Sequence, residues 1–175
     1  MSDPNLPTDI ATLLSSAHRT AFHLEQRDAW QRFTDADRDS YDGFLATGAA
    51  DVGIMDDWCT LVREAVARGV EFRRLRIISE PVTDYIRWEH ALTATNVAAG
   101  EQVRWLPRSQ CMDLPVVPVD FWIVDSRLVR FGLFSGDGAI AGHQVRDEPG
   151  ISKLVAESLE QAWGRGIPHS DYTPA

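Results

Sequence analysis

Lysine is almost absent from this chain: Lys153 stands alone beside sixteen arginines. Cysteine is nearly as scarce. Cys59 and Cys111 are the only two, which excludes a disulfide-dense scaffold and, at that separation, a metal knuckle. One disulfide stays open, but two buried thiols in a cytoplasmic protein are the expected state. The five histidines supply no metal-ligand spacing, since even His18 and His23 do not share a helix face, so neither metal nor cofactor is expected. No apolar run approaches the roughly 20 residues needed to cross a bilayer. Met1–Thr8 lacks the basic and apolar stretches of a signal peptide, so no membrane association is expected. Positive charge is in deficit, with 17 Lys and Arg against 26 Asp and Glu, a net charge of -9. That balance argues against direct duplex DNA binding, whose affinity rests on neutralising phosphates. A Gly-x-Ser-x-Gly nucleophile elbow and a phosphate-cradling glycine loop are also missing.

What remains is an ordinary globular composition over 175 residues, 44% hydrophobic and 25% charged, enough for a single domain spanning 1–175. Residues 1–70 read as mainly helical. Ile10, Leu13, Leu14 and Ala17 follow a helix face behind a capping Asp9, and His18–Glu25 reads as a turn. Segments at 29–33 and 35–45 follow, then an amphipathic helix from Asp56 or Asp57 that Gly69 stops. Residues 71–163 read as an α/β core. A strand over Phe72–Ile78, a helix over Val82–Val97 and a strand over Glu101–Pro107 form a βαβ unit with parallel strands. Phe121–Val124 and Leu128–Phe134 form a hairpin about Asp125-Ser126-Arg127. Gly132, Gly136, Gly138 and Gly142 read as bends, Ile151–Trp163 as a closing helix and 164–175 as a frayed tail. The fold class is therefore α/β, with a mixed sheet of about five strands, N-terminal helices and a C-terminal helix.

Four segments are distinctive: Phe22–Glu25 (FHLE), Arg73–Tyr85 (RRLRIISEPVTDY), Asn96–Arg108 (NVAAGEQVRWLPR) and Asp120–Asp125 (DFWIVD). Through them the chain resembles the actinobacterial domain-of-unknown-function 6879 family. The resemblance implies genes placed beside helix-turn-helix regulators, and no established activity. The strand-helix-strand core and hairpin also resemble the phospholipase D-like fold. That fold's hairpin opens with His-x-Lys and reaches an Asp after four intervening residues. With that Asp on Asp125, Asp120 takes the lysine position and Pro118 the histidine position. Proline has no attacking atom and an acid repels phosphate, so the resemblance implies a scaffold stripped of its phosphodiesterase chemistry.

The βαβ unit concentrates arginine in an acidic chain. Arg76, Arg87, Arg104 and Arg108 are the candidate anion site, because forked guanidiniums suit phosphate or carboxylate and ligands of open α/β sheets bind beyond strand carboxyl ends. Surface ion pairs are the plainer alternative. Trp88, Trp105 and Trp122 are candidates for a partner surface, with core packing as the default. His90, beside Glu89, together with Tyr85 and Asp125, would carry an alternative enzymatic reading, acyl or phosphoryl transfer. The leading expectation is a non-catalytic ligand-sensing or partner module that works with a helix-turn-helix regulator in transcription regulation. A homodimer is a third possibility.

Overall fold

The computed structural model describes residues 9–29 and 34–175. Trp30, most of the segment at 29–33 and the Met1–Thr8 terminus lie outside the described residues. The elements run α1 (Ile10–Ser15), β1 (Thr20–Glu25), α2 (Asp35–Thr47), α3 (Asp56–Ala67), β2 (Glu71–Ile78), α4 (Asp84–Ala98), β3 (Gln102–Pro107), β4 (Phe121–Val124), β5 (Leu128–Phe134), β6 (Ile140–Arg146), α5 (Pro149–Arg165) and β7 (Ile167–Pro168). The α/β class and mixed sheet are as read from the sequence. Among the described residues the sheet has seven strands rather than five, in the order β6-β5-β4-β1-β2-β3-β7. β1, β2 and β3 are parallel, and the rest of the sheet is antiparallel.

Three expectations are corrected. The first third is not simply helical: Thr20–Glu25, read as a turn, is the central strand β1, bonded to β2 on one side and β4 on the other. The glycine-bearing segment after Phe134 is not only bends, since Ile140–Arg146 pairs with β5 as an edge strand. The tail is docked, not frayed. Ile167 and Pro168 pair with β3, the His169 amide donates to Val103 O at 3.0 Å, and buried Tyr172 donates to Glu80 at 2.9 Å.

The strand period of two sorts the residues into two faces. On one face Leu24, Leu75, Ile77, Leu106, Phe121 and Ile123 pack against Val155, Leu159 and Ala162 of α5. Each such buried aliphatic side chain contributes about 1.5–3 kcal/mol. On the other face α1 and α3 bring Leu13, Leu14, Cys59 and Val62 onto Ala21, Phe72, Trp122 and Val124. Further along that face Ile86 of α4 joins Ile78, Val103, Trp105 and Tyr172. Caps set the helix starts: Asp9 accepts from the Thr12 amide at 2.8 Å, and the Thr83 hydroxyl accepts from that of Ile86.

Asp125 has a structural assignment. It and Ser126 have φ of 52° and 53°, the left-handed pair a tight hairpin turn requires, and Arg127 N closes the turn on Val124 O at 2.9 Å. Its carboxylate accepts the amides of His18, Arg19 and Thr20 at 3.0, 2.8 and 2.9 Å and so fixes the entry to β1.

Candidate functional site

β1 and β2 place polar side chains on the helix-covered face opposite α5. His23 lies beside Arg74 in the register and Glu25 beside Arg76. Arg74 is held by two acids. Its Nε donates to Glu101 Oε1 at 2.6 Å and its Nη1 to Glu25 Oε1 at 2.9 Å. Arg76 Nη2 donates to Glu89 Oε2 of α4 at 2.7 Å and lies 3.0 Å from Glu25 Oε2. The Tyr85 hydroxyl, one helical turn before Glu89, donates to its Oε1 at 2.6 Å. Glu101 is wholly buried, its side chain 0% exposed. Charges so placed must be paired, because each would otherwise lose several kcal/mol of hydration.

A two-lobed cleft opens over this row. The first lobe, ≈ 430 Å³, lies over β1, β4 and β5 and reaches Ile140 and His143 at the sheet edge. The second, ≈ 360 Å³, runs under α4 toward Asp37 and the short turn Val52–Met55. His23, Glu25, Trp58, Arg76, Tyr85 and Trp122 line both. The walls are aromatic: the His23 ring stacks on Trp122 at 4.1 Å and 13°, and Trp58 lies 5.8 Å from Trp122. In the first lobe Arg27 lies 3.9 Å over the Phe134 ring and donates to Gly138 O at 2.8 Å. Among the described residues Arg27 makes no direct ion pair, though its charge reaches Asp120, and its buried Nε has no hydrogen bond.

Burial sets the protonation states. His23 is pushed down to about 3 by desolvation, against Glu25 and with help from Arg74 and Arg76, so its ring is neutral. Burial alone would raise Glu25, yet Arg74 and Arg76 hold it below the usual carboxylate range. Tyr85 is raised well above its ordinary value by burial and by Glu89. Asp120 moves opposite to Glu25. Burial and the nearby Glu25 lift it to about 6, although the Gln26 amide donates to it at 2.9 Å.

The predicted anion site is not assembled. Period two separates its members, since Arg104 lies beside Leu75 in the register and so on the α5 face, one residue out of phase with Arg76. Arg104 packs 4.5 Å over Trp163 and donates to its carbonyl at 2.8 Å. Arg108 ties loop ends together, donating to Gln26 O at 2.6 Å and Ile77 O at 3.2 Å. Arg87 is exposed on α4 and donates to Ala175 O. Only Arg76 reaches the cleft. The tryptophans correct the partner-surface expectation: Trp88, Trp105 and Trp122 are 3%, 0% and 5% exposed, so they are core, with Trp88 and Trp122 showing edges to the cleft. Of the enzymatic candidates Tyr85 lines the cleft, whereas His90 sits against the tail, 3.2 Å from Tyr172 O, and Asp125 serves the turn. Residues that the sequence reading did not single out as a site are His23, Glu25, Arg27, Trp58 and Arg130. The FHLE segment carries a visible signal for His23 and Glu25 alone. No group of His, Cys, Asp and Glu among the described residues could hold a metal, and no helix there is long and apolar enough to cross a membrane.

Comparison with solved structures places the fold. Nuc from Salmonella typhimurium, a phospholipase D family member, superposes with a TM-score of 0.55 at 14% identity, over 90% of this chain and 86% of that one. TrmBL2, an archaeal chromatin protein described as showing a novel mode of DNA binding, matches with a TM-score of 0.49 at 14% identity, over 89% of this chain. The present chain spans about half of its length, 47%. No curated protein sequence matches. The profile of a family described as "Domain of unknown function (DUF6879)" matches residues 8–174.

Proposed function

Because the chain belongs to the DUF6879 family, whose description assigns no function, we propose from the cleft itself that it is a non-catalytic sensing module for a small planar organic anion. The observation that carries this reading is Arg27. Among the described residues its guanidinium forms no direct ion pair, feels Asp120 only at longer range, and is laid against Phe134 in a cleft whose other walls include Trp58, Trp122 and Tyr85. Such a cation presents a fork of donors to a carboxylate or phosphate, while the rings take up a planar apolar body. The anion site centres on Arg27, with Arg130 and His143 on the same lobe; Arg76 also lines it but is held by Glu25 and Glu89. Pro118 and Asp120, at the two positions where phospholipase D-like enzymes carry histidine and lysine, leave the scaffold without its nucleophile and its cation. The effector is a helix-turn-helix regulator, the neighbour that the family resemblance implies, and a net charge of -9 suits docking to a basic protein surface.

Calorimetry with indole- and phenyl-bearing carboxylates against the matching amides tests the reading. Acids should bind and amides should not, and Arg27→Gln should weaken the acids by about tenfold or more, the worth of one charge-assisted contact. Equal binding of acids and amides would overturn it. Turnover of bis(p-nitrophenyl) phosphate by the purified protein would overturn the non-catalytic part.

A further inference from the structure

The first lobe holds two carboxyl groups side by side. Leu24 of β1 faces Phe121 of β4, so the next antiparallel step sets Glu25 opposite Asp120, and both line the lobe. Side chains directly opposed across such a pair share one face of the sheet, close enough for like charges to repel. Only one of the two acids is answered by cations. Glu25 Oε1 lies 2.9 Å from Arg74 Nη1, and its Oε2 lies 3.0 Å from Arg76 Nη2. Asp120 has no ion pair among the described residues. Its Oδ1 accepts from the Gln26 amide at 2.9 Å, and no hydrogen bond there uses Oδ2. The Gly132 amide donates to Asp120 O at 2.8 Å and fixes the residue between β1 and β5.

The other ionisable groups of the lobe leave Asp120 as the one that can change state. His23 of β1 is neutral and stacked on Trp122, and the Tyr85 hydroxyl of α4 donates to Glu89. Arg76 of β2 is held by Glu25 and Glu89. Burial, and then Arg130 of β5, disfavour a charge on His143 of β6. Arg27 and Arg76 favour the ionised form of Asp120, but burial and Glu25 outweigh them. An anion seated on Arg27 cancels part of that help and adds a third negative charge beside the two acids. Protonating Asp120 relieves the repulsion.

We propose that the cleft takes up its organic anion together with one proton from the solvent, which Asp120 holds and donates as a hydrogen bond to the ligand's carboxylate. The inference deepens the anion reading and rests on it. Hydrogen bonds from a neutral acid to a carboxylate are short and charge-assisted. The empty cleft holds the Asp120 carboxyl at about 6. Affinity for the anion therefore rises as the pH is lowered toward that value and levels off below it.

Calorimetric titration of the full chain with indole-3-acetate, in two buffers of different ionisation heat and at several pH values, tests this. The difference between the two heats counts the protons taken up. At pH 7 it should approach about one per ligand, and affinity should fall by up to about tenfold per pH unit above 6. Indole-3-acetamide should take up none. Asp120→Asn should abolish the uptake and flatten the pH dependence, whereas His143→Gln, whatever its affinity, should still take up the proton. Uptake that survives Asp120→Asn or vanishes in His143→Gln overturns the assignment. So does binding of the acid to the unaltered protein with no uptake and no pH dependence, a result that requires no variant to fold. If the acid still outbinds the amide, that result leaves the anion reading standing. Equal binding of acid and amide overturns both.

Discussion

Replacing Asp120 by asparagine should stabilise the protein at pH 7.5 and lose that advantage as the solution is acidified. The Asp120 carboxyl is lifted from 3.8 to about 6, first by burial and then by Glu25, against the Gln26 amide and Arg27. The folded state therefore holds a proton more tightly than the unfolded chain does. Stability from this group is complete below about pH 4 and is lost as the pH rises to about 6. A displacement of about two pH units corresponds to roughly 2–3 kcal/mol at 1.36 kcal/mol per unit. Asparagine keeps an oxygen for the Gln26 amide, 2.9 Å away in the wild type, and cannot ionise. Urea unfolding of both proteins between pH 4 and 8 isolates the effect, because other groups titrate alike and cancel in the difference. That difference should grow in favour of Asp120→Asn by roughly 2–3 kcal/mol between pH 4 and 6.5 and then level off. For a chain of this length that is roughly 4–12 °C in melting temperature. A difference that stays flat with pH would refute the argument. So would one that falls, which would mean that Arg27 and not Glu25 controls the carboxyl.

Glu101→Ala should cost about 3 kcal/mol in urea unfolding, because it takes from the buried guanidinium of Arg74 its closer acid and leaves Glu25 alone to answer it; a loss below about 1 kcal/mol would show the pair to be hydrated. Arg104→Ala should leave ligand affinity unchanged within about twofold, since Arg104 packs on Trp163 on the face away from the cleft, and calorimetry beside Arg27→Gln decides the point. Acidification should loosen the tail. His169 Nδ1 accepts from the Trp105 indole at 3.2 Å, and burial and then His90 press its pKa down to about 4, so its contribution is lost as pH falls from about 6.5 toward 4. Hydrogen exchange at Ile167–Tyr172 should then lose protection at pH 5 relative to pH 7, and unchanged protection would contradict the tail's dependence on a neutral His169.

The elements legible in the sequence were those whose apolar residues repeat cleanly. The βαβ unit over β2, α4 and β3, the β4–β5 hairpin and α5 all lie where periodicity and turn chemistry placed them. β1 escaped because half of its pattern is polar. Phe22 and Leu24 face α5, but His23 and Glu25 face the cleft, where their burial depends on Arg74 and Arg76 some fifty residues away. No local rule prices a partner at that distance. β6 escaped because Ile140–Arg146 carries Gly142, His143 and Gln144, weak strand formers whose pairing is supplied by β5. The arginine excess pointed to the correct sheet but not to the correct side of it. Side chains alternate, so two arginines a strand apart in sequence diverge unless their registers agree. Asp120 was visible only as an oddity in the resemblance to phospholipase D-like hairpins, and its place beside Glu25 needed the antiparallel pairing of β1 and β4.

The row of ions between β1 and β2 also restricts how the two strands can be aligned. Slide β1 by one residue and His23 and Glu25 turn over toward Leu75, Leu159 and Trp163, and the acid loses both Arg74 and Arg76. Slide it by two and Glu25 passes beyond one of the two arginines it now bridges. Ionic contacts under cover add little net strength compared with hydrocarbon of equal bulk, but they penalise every wrong alignment heavily. In this sheet they act as a key, and the observed alignment is the one that answers Glu25 with both guanidiniums.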